Sequence, residues 1–178
     1  MTDADFKKLL KAATLPERTV SIVMDRALVA EFQRAEDALR NAQEKRVGDA
    51  RLASEVTKAA QVIEDLRERM KASTVEFRFR GMSAGKWRAL KAEHPVGDEG
   101  TREDMVLGAD TNALFNAAVP ASLVSPSIDA DDWAALLDVL TEGEWDRLVG
   151  AVYALNEEGT GVPFSQSASI ALRKNADE

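Results

Sequence analysis

Between residues 26 and 72 apolar side chains return at alternating spacings of four and three. They are first Leu28, Phe32, Ala35, Leu39 and Ala42, then Leu52, Val56, Ala59, Ile63, Leu66 and Met70. A seam this thin, walled by charged neighbours such as Glu31, Arg34, Asp37, Lys58, Glu64 and Arg67, suits a single helix-helix contact better than burial in a large core. Val47-Gly48-Asp49 separates the two runs, and its glycine lets the chain reverse. The pattern predicts an antiparallel helical hairpin, a coiled-coil arm whose limbs are each about 30 Å long at the rise of an α-helix.

The period changes to two on either side of that arm. Val20, Ile22 and Met24 alternate with Thr19, Ser21 and Val23, while Val75, Phe77 and Phe79 alternate with Glu76, Arg78 and Arg80. Both stretches read as strands. A strand that leads into a returning hairpin meets the strand that follows it, so the arm is expected as an insertion in a small two-stranded β ribbon. Two strands alone are marginal in water, and the Val75/Phe77/Phe79 face needs cover.

Downstream residues supply the cover. Ala84 to Glu93 reads as a helix with Trp87 and Leu90 on one face, stopped by Pro95. Residues 96–110 are polar and glycine-rich and read as a loop. Asn112 to Val124 is apolar enough for a buried helix or two short ones, with a kink or break at Pro120 and an end at Pro126. Asp131 to Leu140 presents Trp133, Leu136, Leu137 and Leu140, and Thr141 with Glu144 has the spacing of a capping box. That box opens a last helix with Trp145, Leu148, Val149, Val152 and Leu155. The expected fold is therefore mainly α, with a helical hairpin inserted in a β ribbon and a compact C-terminal helical domain behind it. The divisions fall at 1–25 for an N-terminal helix and first strand, 26–72 for the arm, 73–160 for the second strand and helical domain, and 161–178 for a small, polar, flexible tail.

The chain has no cysteine and one histidine, His94, among 178 residues. Disulfides, thiolate metal sites and cysteine nucleophiles are excluded, and imidazole-based catalytic pairs nearly so, which argues against an enzyme and against any cofactor. No run approaches the ~20 apolar residues of a bilayer span, and Met1-Thr2-Asp3-Ala4-Asp5 is acidic where a signal peptide would be basic. A cytoplasmic protein without a membrane partner is expected. Net charge is -8 and unevenly spread: residues 92–160 set Arg102 and Arg147 against 15 acidic side chains, a net of -13. Such a surface repels phosphate backbones, so nucleic acid is not an expected partner.

Few residues suggest chemistry. His94 beside Glu93 has the makings of a general base, but a histidine at a helix end before Pro95 explains it more simply. Asp129, Asp131 and Asp132 resemble calcium ligands in spacing, yet they lack the loop glycine and closing glutamate of an EF-hand, and a helix N-terminus accounts for them. Gly81 and Gly85 lie between strand and helix without a phosphate-loop fingerprint and read as turn residues. Trp87, Trp133 and Trp145 read as core anchors, or as groove-lining residues of a binding module. The arm is either a solvated strut or a docking and homo-oligomerisation surface.

The order of segments resembles the tail assembly chaperones of long-tailed, siphovirus-like bacteriophages, particularly those infecting actinobacteria. The resemblance runs from about Pro16 to Phe164. It is carried by Arg18-Thr19-Val20 before the charged hairpin, Thr74 to Arg80, Trp87-Arg88-Ala89-Leu90 with Glu93-His94-Pro95, Asn112 to Phe115, Leu123-Val124-Ser125-Pro126, and the helices from Trp133 and Trp145. The chain departs from the pattern at Phe115-Asn116, where a proline often follows the phenylalanine. The resemblance implies a non-enzymatic protein of the host cytoplasm that binds the tape measure protein, keeps it soluble, and is absent from the mature virion. It also implies a longer, frameshifted form that recruits the tail tube protein, with which Lys174-Asn175 is compatible as part of a slippery sequence. The alternative is a coiled-coil adaptor retained in the particle. The partner surface is expected on the C-terminal helices at Trp133, Leu137, Trp145 and Val149.

Overall fold

Side-chain alternation decides which way the sheet faces. In the computed structural model, which describes residues 1–46 and 53–158, β1 (Glu17–Val23) pairs antiparallel with β2 (Thr74–Arg80), Val20 lying opposite Phe77 and Ile22 opposite Val75. One face is thus apolar. The other carries Glu17, Thr19, Arg78 and Arg80, with Glu17 bonded to Arg80 at 2.6 Å. The sheet has three strands rather than the expected two: β3 (Leu123–Ser125) pairs with β2, Leu123 opposite Phe79, giving the order β1-β2-β3. Expecting helix up to Val124 overlooked that Leu123 leaves the helical region (φ -68°, ψ 126°) and so pairs with the open edge of β2.

The preceding helix, α6 (Thr111–Ser122), runs through Pro120 instead of breaking there. It stops two residues later, where the Leu123 N–H donates to the Pro120 carbonyl. Together with α8 (Glu142–Asn156) it covers the apolar sheet face. Phe77, Phe79, Ile22, Leu114, Leu148, Val119 and Val152 are all under 2% exposed, and Trp87 from α4 (Ala84–Glu93) and Leu136 from α7 (Ala130–Val139) close the same core. Gly81 ends β2 where space is short. Its N–H donates to the Pro16 carbonyl at 2.9 Å, and a Cβ there would sit 3.1 Å from the Leu155 carbonyl oxygen.

A second correction concerns residues 96–110, expected as a loop. They contain α5 (Arg102–Leu107), opened by a capping box in which the Asp104 N–H donates to the Thr101 hydroxyl and the Thr101 N–H donates to the Asp104 carboxylate at 2.8 Å. Gly108, at φ 74°, ends it in the left-handed conformation that glycine adopts without penalty.

Between β1 and β2 in the chain stand α2 (Arg26–Arg46) and α3 (Ala53–Ala72), packed on each other. Arg69, late in α3, reaches Glu31, early in α2, and the Arg67 guanidinium lies over the Phe32 ring, so the helices run in opposite directions. Leu28, Ile63 and Leu66 are buried, while Phe32, Ala35, Leu39, Ala42, Val56, Ala59 and Met70 are half-buried. Leu52, the expected reversal at Val47-Gly48-Asp49 and the expected tail at 161–178 lie outside the described residues. The remaining helix, α1 (Asp3–Ala12), is capped by Thr2 and Asp5 and buries none of its own side chains.

Candidate functional site

The expected chemical candidates have structural roles. His94 is the C-cap of α4: its N–H donates to the Lys91 carbonyl, and its own carbonyl accepts from the Asp110 N–H at 2.9 Å. Asp129 is the N-cap of α7, accepting from the Asp132 N–H at 2.9 Å, with Asp131 and Asp132 in the first turn. Among the described residues no group of His, Cys, Asp or Glu is arranged to hold a metal ion, and no helix is long and apolar enough to cross a membrane.

Of the four residues expected on the partner surface, Trp133, Trp145 and Val149 pack partly buried against the core, and Leu137 is 41% exposed. Helical spacing places Leu136, not Leu137, toward the core on α7. Val149 alone of the four lines the groove described next.

That groove, about 540 Å³, lies between α5, α6 and α8. Phe115, Leu107, Val106, Val149 and Tyr153 supply its apolar lining, and Glu103, Asp146 and Glu157, with Arg102, its charged rim. Local chemistry fixes each wall. The Asp104 carboxylate that caps α5 also accepts from the Thr111 N–H at 2.8 Å, which joins α5 to the start of α6. Hydrogen bonds from Thr111 and from Thr101 hold Asp104 well below the usual carboxylate range. Phe115 on α6 is bracketed by aromatic rings, Trp87 at 6.2 Å and Tyr153 at 6.4 Å between centroids, both tilted.

Glu157 ties the far end together. Its carboxylate accepts from the Trp87 indole N–H at 2.6 Å and from the Lys91 ammonium at 2.8 Å, and Lys91 also donates to the Leu107 carbonyl. Burial raises the pKa of Glu157, but the Lys91 and Trp87 hydrogen bonds and the Lys91 charge outweigh it and hold the carboxyl below its ordinary value. Three helices are thereby locked around a cleft that keeps large apolar side chains in water: Val106 is 80% exposed and Met105, beside it on α5, 64%. Such a cleft can receive an apolar helical stripe.

A second cavity, about 850 Å³, opens between the Lys86/Ala89/Leu90/Glu93 side of α4 and the turn from α6 into β3, with Leu15 on its wall. The α5 groove was missed at the level of sequence because residues 96–110 read as loop. Thr101 with Asp104, three apart and followed by Gly108, was the signal that would have placed a helix there. Compared with protein families, curated proteins and solved structures, the chain matches none.

Proposed function

We propose that this chain is a phage tail assembly chaperone, a non-enzymatic protein that binds the tape measure protein and keeps it soluble in the host cytoplasm. In the same reading a longer, frameshifted form recruits the tail tube protein. One observation carries the proposal: the α5/α6/α8 groove presents Val106, Val149 and Tyr153 over the buried Phe115 within a strongly acidic part of the chain. A tape measure protein exposes apolar helical stripes until the tube encloses it, and a groove of about 540 Å³ offers a place for such a stripe while the surrounding charge keeps the complex soluble. In the same reading Trp133, Leu137 and Trp145 are further contacts outside the groove, on α7 and the start of α8. The packing of α2 on α3 and the pairing of β1 with β2 support the finer architecture we infer, a coiled-coil arm set in the ribbon as a rigid extension of the helical domain.

Co-expression with the tape measure protein of the same phage tests this. Soluble tape measure protein should depend on the chain and fall severalfold with Val106→Glu, which alters an exposed side chain and should leave the fold intact. Solubility that is independent of the chain overturns the reading, and recovery of the chain in purified virions replaces it with the adaptor.

A further inference from the structure

Two surfaces left open in this chain match each other. On α1, Phe6, Leu9 and Leu10 stand at helical spacing on one face, 50%, 62% and 62% exposed, and Lys7 and Lys11 flank that stripe. On the groove, the rim beside Val149 and Tyr153 carries Glu103 and Asp146, with Arg102 among them and Glu157 held by Lys91 and Trp87. We propose that the groove receives α1 of a second copy of this chain. Rested on the chaperone reading, the inference assigns that groove a self-made occupant which the client would displace.

Size, charge and position all argue for it. A cavity of 150 Å³ accommodates a benzene, so a groove of about 540 Å³ takes about three groups of that order, the number the α1 stripe offers. Lys11, with Lys7 and its Asp3 partner, would face Glu103 and Asp146 on the rim, which sets polarity and register, while Glu157 stays with Lys91 and Trp87. Within one chain the segment that follows α1 leads elsewhere. Leu15, three residues beyond it, lies in the other cavity, against the Lys86/Leu90 face of α4, whereas Trp87 and Lys91, on a different face of that helix, adjoin the groove. Reciprocal exchange of α1 closes a dimer, and unreciprocated exchange builds an open chain.

Sedimentation velocity on the full chain, without any client, is the test. The wild type should show a concentration-dependent mass above the 19.4 kDa monomer. Leu9→Glu with Leu10→Glu should weaken association by more than about tenfold, because both side chains would enter the apolar floor. These positions bury nothing in the chain, and circular dichroism checks that the variant is folded. A Lys7→Glu/Lys11→Glu chain should likewise lose association and regain it when mixed with an Asp146→Lys chain. A monomeric wild type, or association unchanged by the leucine variants, overturns the proposal. So does a monomer whose tryptophan emission responds to those variants, since α1 would then occupy its own groove. None of these results bears on tape measure solubility, so the two readings fail separately.

Discussion

Between α2 and α3 the seam is one side chain wide, and Leu28, Ile63 and Leu66 are its buried members; the sheet and its covering helices instead enclose Phe77, Phe79, Leu114, Val119, Leu148 and Val152 from several sides. Polar anchoring differs in the same direction. Ion pairs of the helix pair, such as Glu31 with Arg69 and Glu64 with Arg67, are exposed, whereas Asp104, Asp110 and Glu157 accept hydrogen bonds that join or cap elements of the helical domain. One region is held by a repeating local pattern. The other depends on residues far apart in sequence meeting in one place.

The largest contrast should come from truncating one buried side chain in each region. Phe79→Ala empties a fully buried site shared by the sheet and its helices and should cost about 3–5 kcal/mol, whereas Leu66→Ala should cost about 2 kcal/mol, because two helices can close over part of the lost volume. All three tryptophans lie outside α2 and α3, so their fluorescence follows the helical domain alone. Denaturant unfolding should show Phe79→Ala shifting the tryptophan transition, and Leu66→Ala shifting chiefly helicity and amide protection within α2 and α3. Equal shifts of both probes by Leu66→Ala would break the contrast and make the molecule one cooperative unit.

Acid separates the regions by another route. Asp104 and Glu157 are held below their ordinary values in the folded chain, so each contributes stability that is present above the unfolded carboxylate pKa near 4 and is lost as pH falls through the lower folded value. Below about pH 4, α5 and the end of α8 should therefore loosen before α2 and α3 lose helicity. Asp104→Asn should flatten this acid dependence at α5, read from amide exchange between pH 5 and pH 2. An unchanged acid limb in that variant would remove Asp104 from the account.

How much of this was legible in sequence follows from the range of each interaction. Helix boundaries set by near neighbours were readable: the seam from Leu28 to Met70, the stop at Pro95 and the Thr141/Glu144 box all lie within a few residues of what they control. β3 was not, because three residues become a strand only when β2 offers an edge, and that edge is 44 residues upstream of Leu123 at Phe79. For α5 the local signal existed in Thr101, Asp104 and Gly108 but was outweighed by the surrounding glycines. The groove depends on both kinds of information. Val149 was readable as part of an apolar stripe, yet its neighbours Val106 and Phe115 come from a helix read as loop and from one read as buried core.

The smallest expected effect concerns the joint between the regions. Arg26, the first residue of α2, pairs with Glu144 of α8 at 2.8 Å, and Glu144 also accepts from the Thr141 N–H, so one carboxylate links α2 to the cap of α8. Burial raises the pKa of Glu144, and the Thr141 hydrogen bonds with the charges of Arg26 and Arg147 more than offset it, so the group stays ionised at neutral pH and the pair is intact there. A double-mutant cycle with Arg26→Ala and Glu144→Ala should give a coupling of about 0.5–1 kcal/mol, against a few tenths for Glu31 with Arg69, which is longer at 3.4 Å and more exposed. If the joint is what fixes α2 to α8, Arg26→Ala should also raise amide exchange through the first turn of α2 while leaving α3 beside it unchanged. Coupling no larger than that of Glu31 with Arg69 would mean that α2 and α3 are held by Leu28 and the β1-β2 pairing alone.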